Sequence, residues 1–168
     1  MNRNLCLLPL ACLLATTARA GTLRWMRSYE YEGGWHSREE LHHGIVCSDG
    51  SFLGCGYVGY RNTSMSQEML LIKVDTAGNE LWHRFYDNDE RAKYAEAVLE
   101  TPDRGFVLTG SKTANEDTTF LVVLRTDSTG QEVWTSRFFS SESPRAYGLD
   151  IVPGQNGGWT ICGRAGSG

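Results

Sequence analysis

Apolar and polar positions along this chain fall into short runs separated by turn chemistry. Runs of β-branched and aromatic residues occupy roughly Leu81 to Phe85, Tyr94 to Glu100, Gly105 to Gly110 and Phe120 to Thr126, and runs bounded in this way read as strands. The breaks between such runs are Asp49-Gly50, Asp75 to Gly78, Pro102-Asp103-Arg104-Gly105, Asp127 to Gly130 and Gly154 to Gly158, all rich in residues that initiate or close turns. No window sustains an apolar spacing of three to four residues, so helices are expected to be scarce. The apolar run from Leu5 to Ala15 is of another kind. It follows Arg3 and leads into Ala18-Arg19-Ala20, the layout of a secretory signal peptide cleaved after Ala20. The run is too short to span a bilayer and no second long one follows, so no transmembrane helix is expected. Lipidation at Cys12 is the alternative reading, which Pro9 and the downstream small-residue site disfavour. The chain is therefore expected to be secreted, periplasmic or at the cell surface.

Shifting the chain against itself by about fifty-three residues brings many features into register, the signature of a repeat architecture. Trp25, Trp82 and Trp134 align, as do Phe52, Phe106 and Trp159, each ahead of Gly56, Gly110 or Gly163. "EMLLIKVDTAGNELW" superposes on "TFLVVLRTDSTGQEVW", and Tyr94 to Val98 on Tyr147 to Ile151. Four strands per fifty-odd residues is the arithmetic of a β-propeller blade. The expected fold is all-β, with blades of four antiparallel strands over about 21–78, 79–130 and an incomplete 131–168, following the leader 1–20. That amounts to about 2.8 repeats, against the roughly four to eight blades that usually close a ring. The sequence reading is an incomplete ring, the N-terminal part of a longer propeller, with assembly of several copies or an open stack as alternatives.

The phrase "DTAGNELW" has a physical interpretation. Asp75 opens a tight turn through its side-chain oxygen, Gly78 supplies a positive φ, and Trp82 stands at a fixed place on the next strand. Asp127, Gly130 and Trp134 repeat the spacing. A Trp recurring there is expected to wedge between adjacent sheets, its N–H reaching a carbonyl on the neighbour. Asp75, Gly78, Trp82, Asp127, Gly130, Trp134, Gly56, Gly110 and Gly163 are thus structural repeat positions, and no repeated polar constellation is legible beside them.

These units, "DRGFVLTG", "LLIKVDTAGNELW" and "LVVLRTDSTGQEVW", resemble the bacterial β-propeller repeat of secreted and cell-surface proteins over essentially the whole chain after the leader. The resemblance implies a fold and little about activity. The ending Thr129-Gly130-Gln131-Glu132-Val133-Trp134 is also similar to the tryptophan docking motif of quinoprotein-like, PQQ-like propellers. Ala77 replaces the Thr in the preceding copy, and the turn is one residue shorter between Asp and Gly than the usual quinoprotein form. In those families the motif locks blades together and does not bind the quinone, so no cofactor is expected from it.

Charge and chemistry narrow the function classes. Sixteen basic and twenty acidic residues give a net charge of −4. Loss of the leader with Arg3 and Arg19 leaves fourteen basic residues and a charge of −6, which gives no support for nucleic acid or an anionic membrane as partner. Cys47, Cys55 and Cys162 would remain after cleavage, so at most one bridge can form within the chain. Cys55 and Cys162 occupy the place of Thr109 and read as small, mostly buried strand residues. A two-residue turn at Asp49-Gly50 would pair Cys47 with Phe52.

His42 and His43 are adjacent, and neighbours on a strand point to opposite faces, so one ion is not expected to use both. His36 and His83 are isolated and read as surface residues. Asp87, Asp89 and Glu90 cluster oxygen donors as a Ca²⁺ loop would, but without its central glycine and spaced glutamate, and read more simply as a solvated acidic turn. Asn62-Thr63-Ser64 is formally a glycosylation acceptor. No nucleophile elbow, P-loop or zincin motif occurs, and no catalytic residue is assigned. The leading expectation is a non-catalytic exported propeller that binds a protein or glycan at the cell envelope. The alternatives are a propeller enzyme, a quinoprotein-type oxidoreductase or glycan-active hydrolase or lyase with catalytic groups in further blades, and an envelope assembly scaffold.

Overall fold

The computed structural model describes residues 11–16, 23–31, 37–60, 67–86, 91, 93–139 and 143–166. Within them the protein is all-β, and its sheets are built from antiparallel hairpins. Strands β1 (Ala11–Thr16) and β2 (Leu23–Tyr29) form a pair. The next four, β3 (Ser37–Val46), β4 (Phe52–Tyr60), β5 (Gln67–Val74) and β6 (Glu80–Tyr86), make a sheet in sequence order. Strands β7 (Lys93–Glu100), β8 (Phe106–Thr113), β9 (Thr119–Thr126) and β10 (Glu132–Phe138) repeat that meander, and β11 (Arg145–Pro153) pairs with β12 (Trp159–Gly166). A single parallel pairing, Arg145 with Thr119, joins β11 to β9. One 3₁₀ turn, Gln155–Gly157, is the only helical element among the described residues.

The strands stack as layers because their apolar residues alternate between two cores. On β5, Leu70, Ile72 and Val74 share a cluster with Tyr29, Trp25 and Phe52. Met69 and Leu71 face the other way, into a cluster with Phe106, Leu108, Val122 and Leu124. On β8 and β9 the division recurs, with Val107 and Val123 turned toward Ile151, Trp159 and Ile161. Side chains two apart on a strand share a face, so a continuous apolar run such as "MLLI" serves two interfaces at once. Each fully buried aliphatic side chain contributes roughly 1.5–3 kcal/mol.

The hairpin loops are one residue longer than a two-residue turn. Val46, rather than Cys47, pairs with Phe52, and Cys47 N–H donates to Ser51 while Gly50 N–H donates to Cys47. The same two bonds recur at Asp75–Asn79, Thr101–Gly105 and Asp127–Gln131. Each of these loops ends in a left-handed residue: Gly50, Gly78 and Gly130 at φ near +80° and Arg104 at +63°. The extra residue lets an ordinary turn finish on a left-handed position, which moves the Cys47 pairing expected from the sequence by one place.

A second repeated device lies in the first strand of each unit. The register of β3 shifts between Leu41 and His43, that of β7 between Ala95 and Ala97, and that of β11 between Gly148 and Asp150. Each is a β-bulge, leaving His42, Glu96 and Leu149 as the extra residue. Opposite the bulges stand Gly56, Gly110 and Gly163. A Cβ on any of them would collide with the backbone carbonyl of Glu40, Tyr94 or Tyr147 respectively. Close approach of two main chains, and not turn geometry, requires these three glycines.

Contrary to the expectation that no polar group repeats, the turn aspartates and strand cations form matched pairs. Lys73 Nζ lies 2.8 Å from Asp49, and Arg125 Nη2 reaches both oxygens of Asp103 at 2.6 and 2.7 Å. Both cations are buried to within a tenth of their side-chain surface. In the third unit Asn156 takes the aspartate's place.

The aspartates give the fold an acid limb. Hydrogen bonds from Lys73 and Ser51 hold Asp49 far below the usual carboxylate range. The side chains of Asn79, Thr101 and Thr129 do the same, in lesser degree, for Asp75, Asp103 and Asp127. A carboxylate depressed in the folded state stabilises it above the unfolded pKa of about 4 and loses that contribution as pH falls toward the folded value. The urea midpoint is therefore expected to hold near neutrality and to fall on acidification below about pH 4. Replacing all four aspartates with Asn should lower the neutral midpoint and flatten the acid fall. An unchanged acid slope in that variant would show that other carboxylates control it.

Candidate functional site

Two features of the repeats could serve a ligand: the joints between sheets and the row of bulged residues. At the joints, the Asp75–Gly78 turn receives Trp25 of the preceding β1–β2 sheet, not Trp82 of its own sheet. Trp25 Nε1 donates to the Thr76 carbonyl at 2.9 Å, and Tyr29 OH donates to the Gly78 carbonyl at 2.8 Å. A Cβ on Gly78 would stand 2.8 Å from the Trp25 indole and 2.9 Å from Arg27 Cγ. One unit on, the Asp127–Gly130 turn is seated on Trp82 and Arg84 in the same way, with hypothetical Cβ distances of 2.8 and 3.0 Å at Gly130. Tyr86 OH donates to the Gly130 carbonyl at 2.8 Å. Each tryptophan also meets an aromatic residue of the next hairpin: Trp25 with Phe52 at 5.8 Å, Trp82 with Phe106 at 5.9 Å and Trp134 with Trp159 at 6.1 Å.

Asp75 and Asp127 complete the turns. Asp75 Oδ1 accepts from the N–H groups of Ala77 and Asn79, and Asp127 Oδ1 from those of Thr129 and Gln131. The aspartates thus fix the turns whose glycines seat on the aromatic residues of the preceding sheet. Substituting Tyr86 with Phe should cost about 1 kcal/mol, since it leaves the buried Gly130 carbonyl without its donor. Urea unfolding measures this directly, and a neutral result would mean that water replaces the hydroxyl.

The bulge row has a different character. Because a bulge re-aims its extra residue, His42 leaves the alternation of β3 and its Nδ1 hydrogen-bonds Glu96, the bulged residue of β7, at 2.8 Å. Nε2 of the same ring lies 3.5 Å from Glu40, which Arg38 holds at 2.5 Å. His43 turns elsewhere, its Nδ1 accepting from Val98 N–H at 3.3 Å, so the adjacent histidines serve different partners. Tyr57 and Tyr94 pack edge-to-face at 4.9 Å, and Tyr57 also stacks on His42 at 5.5 Å. Burial and the neighbouring Glu40 carboxylate push the Tyr57 phenol up to about 12. Burial alone would raise Glu40, but the hydrogen bonds from Arg38 and Tyr57 outweigh it and hold its carboxyl below the ordinary value. The outcome is a partly exposed row of donors and acceptors flanked by rings.

A third feature is a cavity of about 420 Å³ at the turn end of β7, between Glu100, Thr101, Pro102, Pro153 and Trp159. Glu100 there accepts from Ser48 N–H at 2.6 Å and from Ser48 Oγ at 2.9 Å, and Trp159 is already engaged with Trp134.

The remaining candidates divide plainly. Asp87, Asp89 and Glu90, His36, Asn62 to Ser64 and the Ala18 to Ala20 cleavage site lie outside the described residues. His83 is neither isolated nor a plain surface residue, for its Nδ1 bonds Glu80 at 2.7 Å and its ring stacks on Tyr31 at 4.3 Å. Among the described residues no three His, Cys, Asp or Glu side chains are grouped to hold a metal ion. All three described thiols are unpaired, with Cys47 and Cys55 buried. Cys162 departs from the buried role expected of it and is exposed, because β12 has β11 on one side and no described strand on the other. No helix among the described residues is long and apolar enough to cross a membrane.

The sequence signal that could have found the Lys73–Asp49 and Arg125–Asp103 pairs was present. Both cations stand inside apolar runs, at equivalent places two residues before a turn aspartate. No family model matches the chain, and no curated protein matches it.

Proposed function

We propose that the chain is a run of consecutive β-propeller repeats, about 21–78, 79–130 and an incomplete 131–168, acting as a non-catalytic exported module that binds a glycan at the cell envelope. The observation that carries this reading is the division of labour among the repeats. The recurrent Trp, Tyr and turn Gly residues are consumed in sheet-to-sheet joints, while the row Arg38, Glu40, His42 and Glu96 offers polar groups next to the half-buried ring of Tyr94. Hydroxyl-rich ligands need such a mixture: charge-assisted hydrogen bonds for their hydroxyls and apolar ring faces for their C–H surface. The four-stranded layers that pack face to face, each with a bulged first strand, support the propeller reading.

Two measurements test it. Expression with the native leader, followed by intact mass of the exported protein, should return a chain beginning at Gly21. A cytoplasmic chain with residues 1–20 retained would end the export reading. Binding to purified cell-wall glycan fragments should be saturable and should be lost in the His42→Ala, Glu96→Ala double variant. That variant should unfold within about 1 kcal/mol of the parent, because an exposed pair contributes little to stability. Unchanged binding by a folded double variant would remove the bulge row from the site.

A further inference from the structure

We infer that the exposed face formed by Trp134, Phe138 and the outer edge of β12 is a docking slot for an apolar β-strand that ends in an Asp-x-x-Gly turn. The inference rests on the geometry of the joints and stands whether or not the glycan reading holds. Twice in this structure a W-x-R-x-Y strand is covered by such a turn from the next sheet. At the first joint Tyr29 is left 8% exposed, and at the second Tyr86 is left 5% exposed. The turn's glycine lies against the indole, and its carbonyl takes the tyrosine hydroxyl.

The third tryptophan strand, β10, carries Ser136 and Phe138 where the other two carry Arg and Tyr; it begins the same joint and lacks the described covering turn. Trp134 meets Trp159 as Trp82 meets Phe106. Yet Trp134 is 38% exposed, and Phe138, at the place of Tyr86, is 54% exposed. At the two completed joints the covering turn follows the third strand of its sheet: β5 leads into Asp75 and β9 into Asp127. Among the described residues the equivalent position beside β12 is open, and β12 pairs there with β11 alone. The slot therefore offers an unpaired strand edge, which main-chain bonds can extend, together with an aromatic seat that selects the glycine of the turn. Phe138 has no hydroxyl to offer the turn's carbonyl, where Tyr29 and Tyr86 each donate one.

The occupant's chemistry can be supplied as a synthetic peptide with the sequence of residues 67–79, "QEMLLIKVDTAGN", labelled for fluorescence anisotropy and added to the full chain. Saturable binding is expected, weakened at least about tenfold, or about 1.4 kcal/mol, by Gly78→Ala in the peptide and likewise by Trp134→Ala in the protein. The peptide variant carries no risk of misfolding the protein. Absence of saturable binding would overturn the proposal, and so would equal binding of the Gly and Ala peptides, which would reduce the event to unselective edge addition. A concentration-dependent dimer that the peptide does not dissociate would assign the face to a second copy of the chain and equally overturn it.

Discussion

Alanine at Gly110 should destabilise the protein by about 3 kcal/mol or more, the scale of overpacking against atoms that cannot move aside. The added Cβ would enter the Tyr94 carbonyl oxygen and stand 2.9 Å from its carbon. Those atoms belong to the bulged main chain of β7, which is itself packed between two sheets, so neither strand can retreat without parting the Ala95–Gly110 pairing. Gly50→Ala makes the informative comparison. Nothing lies within 4 Å of a Cβ there, and only its φ of +83° opposes a side chain, which costs about 1 kcal/mol. Urea unfolding of the two variants separates close approach from backbone conformation as the reason for each glycine. Equal losses would mean that β7 and β8 part easily to admit the methyl group.

Removing the indole of Trp82 should cost about 3 kcal/mol, at the lower end for a buried aromatic because the ring is half-buried. Its contacts are spread over three partners: Phe106 at 5.9 Å, the guanidinium of Arg84 at 5.7 Å, and the Gly130 turn seated on its face. The effect should also be directional. Hydrogen exchange is expected to rise at the amides of the Asp127–Gln131 turn, one unit away, and to stay unchanged at Asp75–Asn79, which rests on Trp25. Leu81→Ala, at a neighbouring position 54% exposed, should move stability by less than about 0.5 kcal/mol. Faster exchange at the Asp75 turn in Trp82→Ala would mean that each tryptophan braces its own hairpin after all.

What the sequence makes legible here is whatever repeats in register and acts locally. Strands β6 to β9 follow from apolar runs between turn residues, and their bounds differ by no more than three residues from those read off the chain. The Asp–Gly turns are visible because a left-handed closing residue has a narrow choice of side chain. Which unit a turn serves is invisible, since Trp25 reaches Thr76 across fifty-one residues and nothing in the spacing prefers it to Trp82. The Lys73–Asp49 pair joins residues twenty-four apart, so the lysine reads in sequence as a polar interruption of an apolar run. The bulges escape for another reason. An extra residue leaves no compositional mark, and His42, Glu96 and Leu149 share no chemistry. Only their partners Gly56, Gly110 and Gly163 recur, and a recurrent glycine in a strand signals close approach without saying to what.

Strand β1 bears on timing. It lies along β2 as β5 lies along β6, with Ala15 opposite Trp25 where Lys73 stands opposite Trp82. The residues that read as an export leader are therefore also a sheet partner for the strand that seats the first turn. A leader zipped into a sheet is a poor substrate for a translocase, which threads extended chain, and for a peptidase, which needs a loose cleavage segment. On the proposed reading of residues 1–20 as a cleaved leader, export would have to outrun the β1–β2 pairing, and cleavage would leave one edge of β2 unpaired. On that reading a newly made chain would hold β2 in the β1 pairing, and a cleaved one would present that edge unpaired.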